Sequence, residues 1–483
     1  MISRSMDQRP ILGRAAIVAA VALAMVATAL AVGASAGTGE LETSMALALA
    51  IPLSIVVVSY PWAAVMVWVA TMPFFVVADS ASVGAGVWAV HRLLIPATIV
   101  LLLVYRMLGL SRSRFQLSTV DVIIAAFLIL AYVNIFALSN NPIRMSVAFF
   151  DNLVIPISLF WLVRLADPRP AELRRLVPIV AGVVAVQVGV GVLSWLAPEA
   201  LPGAWLGRAG ERTIGTLGGP GPYSMTLVFG ALLFVHAGSG SSHRWVRWLL
   251  TLLAAAAFVG VLLSLSRGSW LGAGAAILGL FFIFPRMTIP TVAAGALVAL
   301  LLATGPLSSQ LGVLDERLGD ADTAASRLVT NNAALRMIAI EPWSGFGYGN
   351  FERFDESFKE RVGDIPVQPG SAHHAYLALA AENGIPALVL YLLPAAWLLM
   401  RTIQLRRFMP VEPYLNRHLV AVMWLALLSQ FLVANFMDML HSSPWGVGLW
   451  WLSLALIHVT VSRAAANQHA ANRRSPLLAG LAR

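Results

Sequence analysis

The chain has no cysteine and, in 483 residues, a single lysine, Lys359. Without thiols it can form no disulfide, use no thiol nucleophile and build no cysteine-based metal centre. Charge of either sign is scarce: 11% charged residues against 59% hydrophobic ones leave too little polar surface to coat a soluble globule. The apolar segments therefore have to face lipid. No fixed-period repeat and no extended low-complexity tract is present. The net charge of +9 is almost entirely arginine, scattered through the connections between apolar runs. That distribution points to membrane orientation and away from nucleic acid.

What is abundant is membrane-spanning length. A hydrocarbon core of about 30 Å takes roughly 20 apolar residues per helix. The sequence predicts fourteen such spans, to within about two, near residues 14–36, 41–58, 62–79, 88–106, 119–138, 147–166, 176–197, 223–238, 246–265, 268–285, 288–305, 374–400, 418–436 and 444–462. The expected fold is all-α, a polytopic transmembrane bundle of about 12–14 helices with one large loop, residues 306–373. The first span exceeds a signal-peptide core and reads as a membrane anchor. The expected organisation is N-terminal spans over 1–200, a core with the loop over 201–400, and C-terminal spans with a cytoplasmic tail over 401–483. The tail from Ala464 reads as flexible.

Arginine placement sets the expected orientation. With Arg4, Arg9 and Arg14 in the cytoplasm, the alternation puts Arg106, Arg112, Arg114, Arg164, Arg169, Arg174, Arg175, Arg244, Arg247, Arg401, Arg406, Arg407, Arg417, Arg473 and Arg474 inside. Both termini are then cytoplasmic, in a plasma (inner) membrane. The same count forces Arg208, Arg212, Arg267, the 306–373 loop with Arg327 and Arg336, and His373 to the outer face. Basic groups gathered there against the positive-inside pattern call for an anionic partner.

Four stretches carry chemistry. In "GERTIGTLGGPGPYSMTLVFG", residues 210–230, glycines and prolines follow Arg212; this is either a plain surface loop or a backbone shaped to approach a ligand. In "SLSRGSWLGAG", residues 264–274, Arg267 sits at a tight hairpin or a broken helix, where its planar fork suits phosphate oxygens or snorkels to lipid headgroups. The stretch 317–354 predicts a helix from Ala324 to Ile340, stopped by Glu341-Pro342, then a turn at Gly345, Gly347 and Gly349. Arg327, Leu328, Asn331 and Leu335 should share a face of that helix, which is alternatively a surface-lying amphipathic element. The "DAD" at 320–322 imitates a metal-nucleotide pair by chance. Finally, "HHAYLALAAENGIPALVLYL" puts His373 at the mouth of a span, where an imidazole can take a proton near neutral pH. Glu382 follows roughly 13 Å deeper, where a carboxylate has to be paired. "NGIP", residues 383–386, should kink the span and free backbone groups.

Taken in order, "TIGTLGGPGPYS", "SRG", an arginine fifteen residues before "EPWSGFGYGNF", and "HHAYLALAAENGIPALVLYL" resemble the O-antigen ligase and polymerase superfamily of membrane glycosyltransferases, over roughly residues 205–400. The resemblance implies an all-helical glycosyltransferase of the lipid-phosphate-sugar (GT-C) type acting at the outer face without a cofactor. It implies a glycan donor on undecaprenyl pyrophosphate, a glycan or lipid acceptor, and a metal-independent, inverting mechanism. It also implies that Arg267 and Arg327 bind the donor pyrophosphate, with Arg212 beside them, and that His373 activates the acceptor hydroxyl. His374, Arg336 and Glu382 would support these groups. The chain departs from the family pattern at His374, where asparagine is common, at Asn331, where tryptophan is frequent, and at Gly221, where asparagine is frequent. Arg92 and Asp151 are candidates for lining the cavity or for a structural ion pair. The sequence does not choose between polymerase, ligase and protein glycosyltransferase. A transporter or lipid-linked glycan flippase is the alternative from another class, and it would predict internal symmetry that the sequence lacks.

Overall fold

A computed structural model describes residues 55–74, 81–110, 115–207, 212–305, 321–359 and 372–481. The expected span at 14–36, most of that at 41–58 and the side chains of the "DAD" motif lie outside the described residues. Among the described residues the chain is helical, with two isolated β-bridges and no strand. It divides into two compact units, one of residues 1–115 and 161–168 and one of residues 116–160 and 169–483.

The first unit holds α1 (Trp62–Thr71) and α2 (Ala81–Met107). The Tyr105 hydroxyl donates to the Val58 carbonyl at 2.9 Å. The Arg106 and Arg164 guanidinium groups lie over the Phe115 ring, 5.9 and 4.8 Å from its centre, a contact that keeps both cations at the end of an apolar run.

The second unit carries α3 (Thr119–Leu138), α4 (Pro142–Phe149), a π-helical turn (Phe150–Val154) leading into the first part of α5 (Ile155–Ala166), whose residues 161–166 belong to the first unit, and then α6 (Pro170–Leu196), α7 (Pro220–Ser239), α8 (Arg244–Leu263), α9 (Arg267–Ile283), α10 (Pro285–Thr304), α11 (Ala321–Ile340), α12 (Phe351–Phe358), α13 (Ala375–Leu405), α14 (Arg417–Ala434), α15 (Met439–Ser442) and α16 (Pro444–Leu481). The π-helical turn has a local cause. Pro156 has no N–H to close a turn onto residue 152, and the backbone widens just before it.

Among the described residues nine helices are long and apolar enough to cross a membrane, and each falls on an expected span; α9, at 17 residues, is a shorter apolar helix. The chain is a multi-pass membrane protein. At the centre stand α7, whose apolar window is wholly buried, and α16, 94% buried in its window. They are ringed by helices whose outer faces keep leucine, valine and phenylalanine exposed, as lipid requires. Small residues set the closest approach. Gly268, Gly272 and Ala276 recur every four residues on α9 and are buried. A Cβ on Gly272 would lie 2.9 Å from the Ser429 carbonyl oxygen of α14, and one on Gly268 2.6 Å from the Phe436 ring. Small side chains at this spacing let two backbones meet where apolar burial alone gives no drive in lipid.

One expectation is corrected. The tail from Ala464, expected to be flexible, is helical: α16 runs on to Leu481 through an alanine-rich stretch that also carries Pro476. On α11, Leu328 and Leu335 are 63% and 51% exposed, and the buried face consists of Val329, Thr330, Ala333, Ala334 and Met337. Ala334 and Met337 pack with Ala378 and Ala381 of α13, because small side chains allow an approach the leucines would block.

Candidate functional site

The site grows from a break in α13. Gly384 has φ 80° and ψ 165°, inside an otherwise helical run, a conformation open essentially to glycine. The break frees backbone groups, as "NGIP" predicts, and the glycine turn after α11 takes them up. The Phe346 amide donates to the Ala381 carbonyl at 2.9 Å, Gly347 to Glu382 at 2.8 Å, and Ile385 to Pro342 at 2.8 Å. Gly345, Gly347 and Gly349 all have positive φ, and a Cβ on Gly345 or Gly384 would run into the opposing backbone of Glu382 or Trp343. The far side of the turn is held by α3: Asn134 Nδ2 donates to the Ser344 carbonyl, Tyr348 N donates to Asn134 Oδ1 at 3.1 Å, and the Ser139 hydroxyl donates to the Tyr348 carbonyl at 2.8 Å.

The glycine-rich stretch before α7 is no surface loop. Residues 213–217 are buried, and their polar groups are met by α6 and α8. Trp195 Nε1 donates to Thr213 Oγ1 at 2.6 Å, Gln187 exchanges two bonds with Thr216 at 2.6 and 3.1 Å, and the Thr213 amide donates to the Leu263 carbonyl at 3.4 Å. Non-helical backbone at membrane depth is tolerated only when satisfied in this way. Leu263 ends α8, and Arg267 opens α9 after a tight turn at residues 264–266, in which Leu265 has φ 45°.

A short connector between α14 and α16, residues 435–443, joins these pieces. Phe436 packs on Gly268, the neighbour of Arg267, and Met437 fills the space a side chain on Gly221 would need. The Met437 carbonyl accepts from the Ala375 amide at 3.1 Å, two residues after His373. Asp438 is near enough for its charge to act on His373, as do the charges of Arg327 and Arg212. Motifs up to about 160 residues apart, from Arg212 to Ala375, thus meet around three consecutive residues.

His373 and His374 are set apart by their surroundings. His374 is the N-cap of α13, and its Nδ1 accepts from the Leu377 amide at 3.3 Å. His373 faces the charged cluster. Burial, and then Arg327, push its imidazole below the ordinary histidine value; Asp438 opposes this and Arg212 adds to it. His373 is therefore neutral at pH 7 and able to accept a proton. Of the remaining expected residues, Arg267 is exposed at the start of α9. Arg336 braces the loop helices, its Nη1 donating to the Phe358 carbonyl at 3.0 Å. Asp151 is buried in the π-helical turn, and Arg92 belongs to the other unit.

Glu382 is 2% exposed, and its Oε1 accepts from the Phe351 amide at 2.9 Å. Its Oε2 lies 2.7 Å from His441 Nε2, and His441 Nδ1 lies 2.9 Å from Asp438 Oδ2. The Tyr348 ring stacks on the His441 imidazole at 4.6 Å, and Asn152 of the π-helical turn donates to the His441 carbonyl at 3.0 Å. Among the described residues no three side chains form a metal-ligand cluster.

Residues 250–392 match the family model described as O-Antigen ligase. That segment similar to O-antigen ligases runs from α8 into α13 and contains Arg267, Arg327, the glycine turn, both histidines, Glu382 and the break at Gly384. The chain thus resembles the O-antigen ligase and polymerase superfamily in its motifs and in this match. No curated protein matches the chain. Arg212, Asp438 and His441 lie outside the O-antigen ligase segment, and sequence reasoning missed the last two. The available signal was the D-x-x-H spacing in "FMDMLHSSPW", placed by span alternation on the same face as His373.

Proposed function

We propose that the chain is a membrane glycosyltransferase of the O-antigen ligase or polymerase type, moving a glycan from undecaprenyl pyrophosphate to an acceptor hydroxyl at the outer face of the plasma membrane. One observation carries the reading: His373 lies within reach of the charges of Arg327 and Arg212, which come from separate parts of the chain, beside the connector at one end of an apolar bundle. His373 takes the hydroxyl proton as the acceptor oxygen attacks the anomeric carbon. The carbon–oxygen bond to the carrier breaks, and its electron pair leaves with the pyrophosphate. Arg327, Arg212 and Arg267 meet the growing charge on that leaving group as fixed cations that do not have to reorganise. A guanidinium fork fits two phosphate oxygens at once, which an ammonium cannot do.

The orientation follows from the two ends of the second unit. Opposite the site, Arg463 pairs with Glu412 at 3.3 Å, Asn467 donates to the Phe408 carbonyl at 3.1 Å, and Phe284 packs on His418. Arg244, Arg247, Arg401, Arg406, Arg407 and Arg417 also belong to that end. It is the cytoplasmic one by the positive-inside rule, which leaves the site outside.

The test is purified protein in lipid, given a short oligosaccharide on undecaprenyl pyrophosphate, with products separated by size. A ladder of longer lipid-linked glycans, absent with His373→Ala, makes the protein a polymerase. Transfer only after an envelope acceptor is added makes it a ligase. An untouched donor in both settings refutes the proposal.

A further inference from the structure

The Asp438–His441–Glu382 group has no role in the reaction as drawn, yet it sets a histidine between two carboxylates beside the site. Both nitrogens of His441 lie beside carboxylates, at 2.7 and 2.9 Å; only the Nδ1–Asp438 contact is aligned as a hydrogen bond, and two negative charges this close favour the doubly protonated ring. The carboxylates hold it in that state: burial alone would lower the His441 value, but Asp438, then Glu382 and Tyr348, raise it well above the usual histidine range. The ring is fixed on its face by Tyr348 and through its backbone by Asn152. The Ser442 hydroxyl donates to the Asp438 carbonyl and closes the turn.

Asp438 also acts on His373, and the two imidazoles therefore compete for one carboxylate. We propose that His441 is a positioning residue for His373: clasped between Glu382 and Asp438, it anchors the connector and takes up Asp438 charge that would otherwise fall on His373. The groups facing His373 are Arg327, Asp438 and Arg212, and those facing His441 are Asp438, Glu382 and Tyr348. With His441 as a cation, the arginines prevail at His373 and leave it free to accept a proton. Without it, the charge of Asp438 falls on His373 with no competing imidazolium beside it. This inference rests on the reading of His373 as the base.

The experiment follows carbethoxylation of His373, which modifies neutral imidazole, against pH in the full chain in lipid nanodiscs, read peptide by peptide by mass spectrometry. His441→Gln should move the His373 midpoint up by about one pH unit or more, and Asp438→Asn should move it down. Glycan transfer measured in parallel should follow the same shift in its acid limb. Opposite movements in the two variants support the proposal; an unmoved midpoint, or movement in the same direction in both, overturns it. Opposite movements without glycan transfer uphold the coupling and overturn only the assignment of His373 as a base. A variant that fails to fold is recognised by lost protection at the buried His458, and the other then decides by the sign of its shift.

Discussion

Two adjacent histidines, identical in chemistry, are given different work by what surrounds them. His374 spends Nδ1 on capping α13, whereas His373 faces Arg327, Arg212 and Asp438. A base whose value is lowered stays neutral, and active, to a lower pH than free histidine. The pH profile of transfer should therefore hold through about 6.5, the ordinary histidine value, and fall only as pH drops through the lowered one. A limb at or above that value would contradict the assignment. At Arg327, lysine keeps the charge and loses the fork, so Arg327→Lys should cut transfer by about tenfold or more, in line with the loss of one charge-assisted hydrogen bond. The same substitution at Arg336, which bonds the Phe358 carbonyl, should cost much less in rate and show chiefly in stability. His373 and Arg267 stand out in the sequence because one lies at a span end and the other beside a glycine, whereas Arg327 is singled out only by its spacing from Pro342 in the family pattern. His441 is not, since its meaning depends on Glu382, fifty-nine residues earlier, and only the folded chain brings the two together.

At the scale of elements, the break in α13 and the glycine turn after α11 form one structure made of two motifs. "NGIP" announces a kink and "GFGYG" a turn, and nothing in either says that the one satisfies the other. The cross-bonds do so through Phe346, Gly347 and Ile385. Gly384→Ala forces a side chain into a glycine-only conformation against the Trp343 carbonyl. It should cost about 1–3 kcal/mol, seen as a lower melting temperature in detergent, and should impair transfer although it touches no reacting group. A wild-type melting temperature would show that the break is not strained as argued. On α11 the leucines stay exposed, and the face turned to α13 sets Ala334 and Met337 against Ala378 and Ala381, a pairing that neither helix announces by itself.

At the scale of the molecule, span positions are legible because lipid leaves few alternatives to an apolar helix of about 20 residues. The order of helices around the wholly buried α7 is not legible, since it is set by small-residue seams such as that between α9 and α14. The absence of cysteine makes orientation directly testable in cells. Glu352→Cys, exposed on α12, should react with an impermeant maleimide from outside, and Gln404→Cys, exposed near the end of α13, should not. The reverse pattern would put the site in the cytoplasm.

The central claim is that His373 lets an acceptor hydroxyl displace a lipid pyrophosphate. The most direct measurement is the rate at which purified protein in lipid bilayers, supplied with acceptor, releases undecaprenyl pyrophosphate from its glycan-bearing form, for wild type, His373→Ala and His374→Ala. The account predicts release by wild type, its loss with His373→Ala and its partial retention with His374→Ala, where a helix cap worth about 1 kcal/mol is removed. Release undiminished by His373→Ala, or abolished only by His374→Ala, would contradict it.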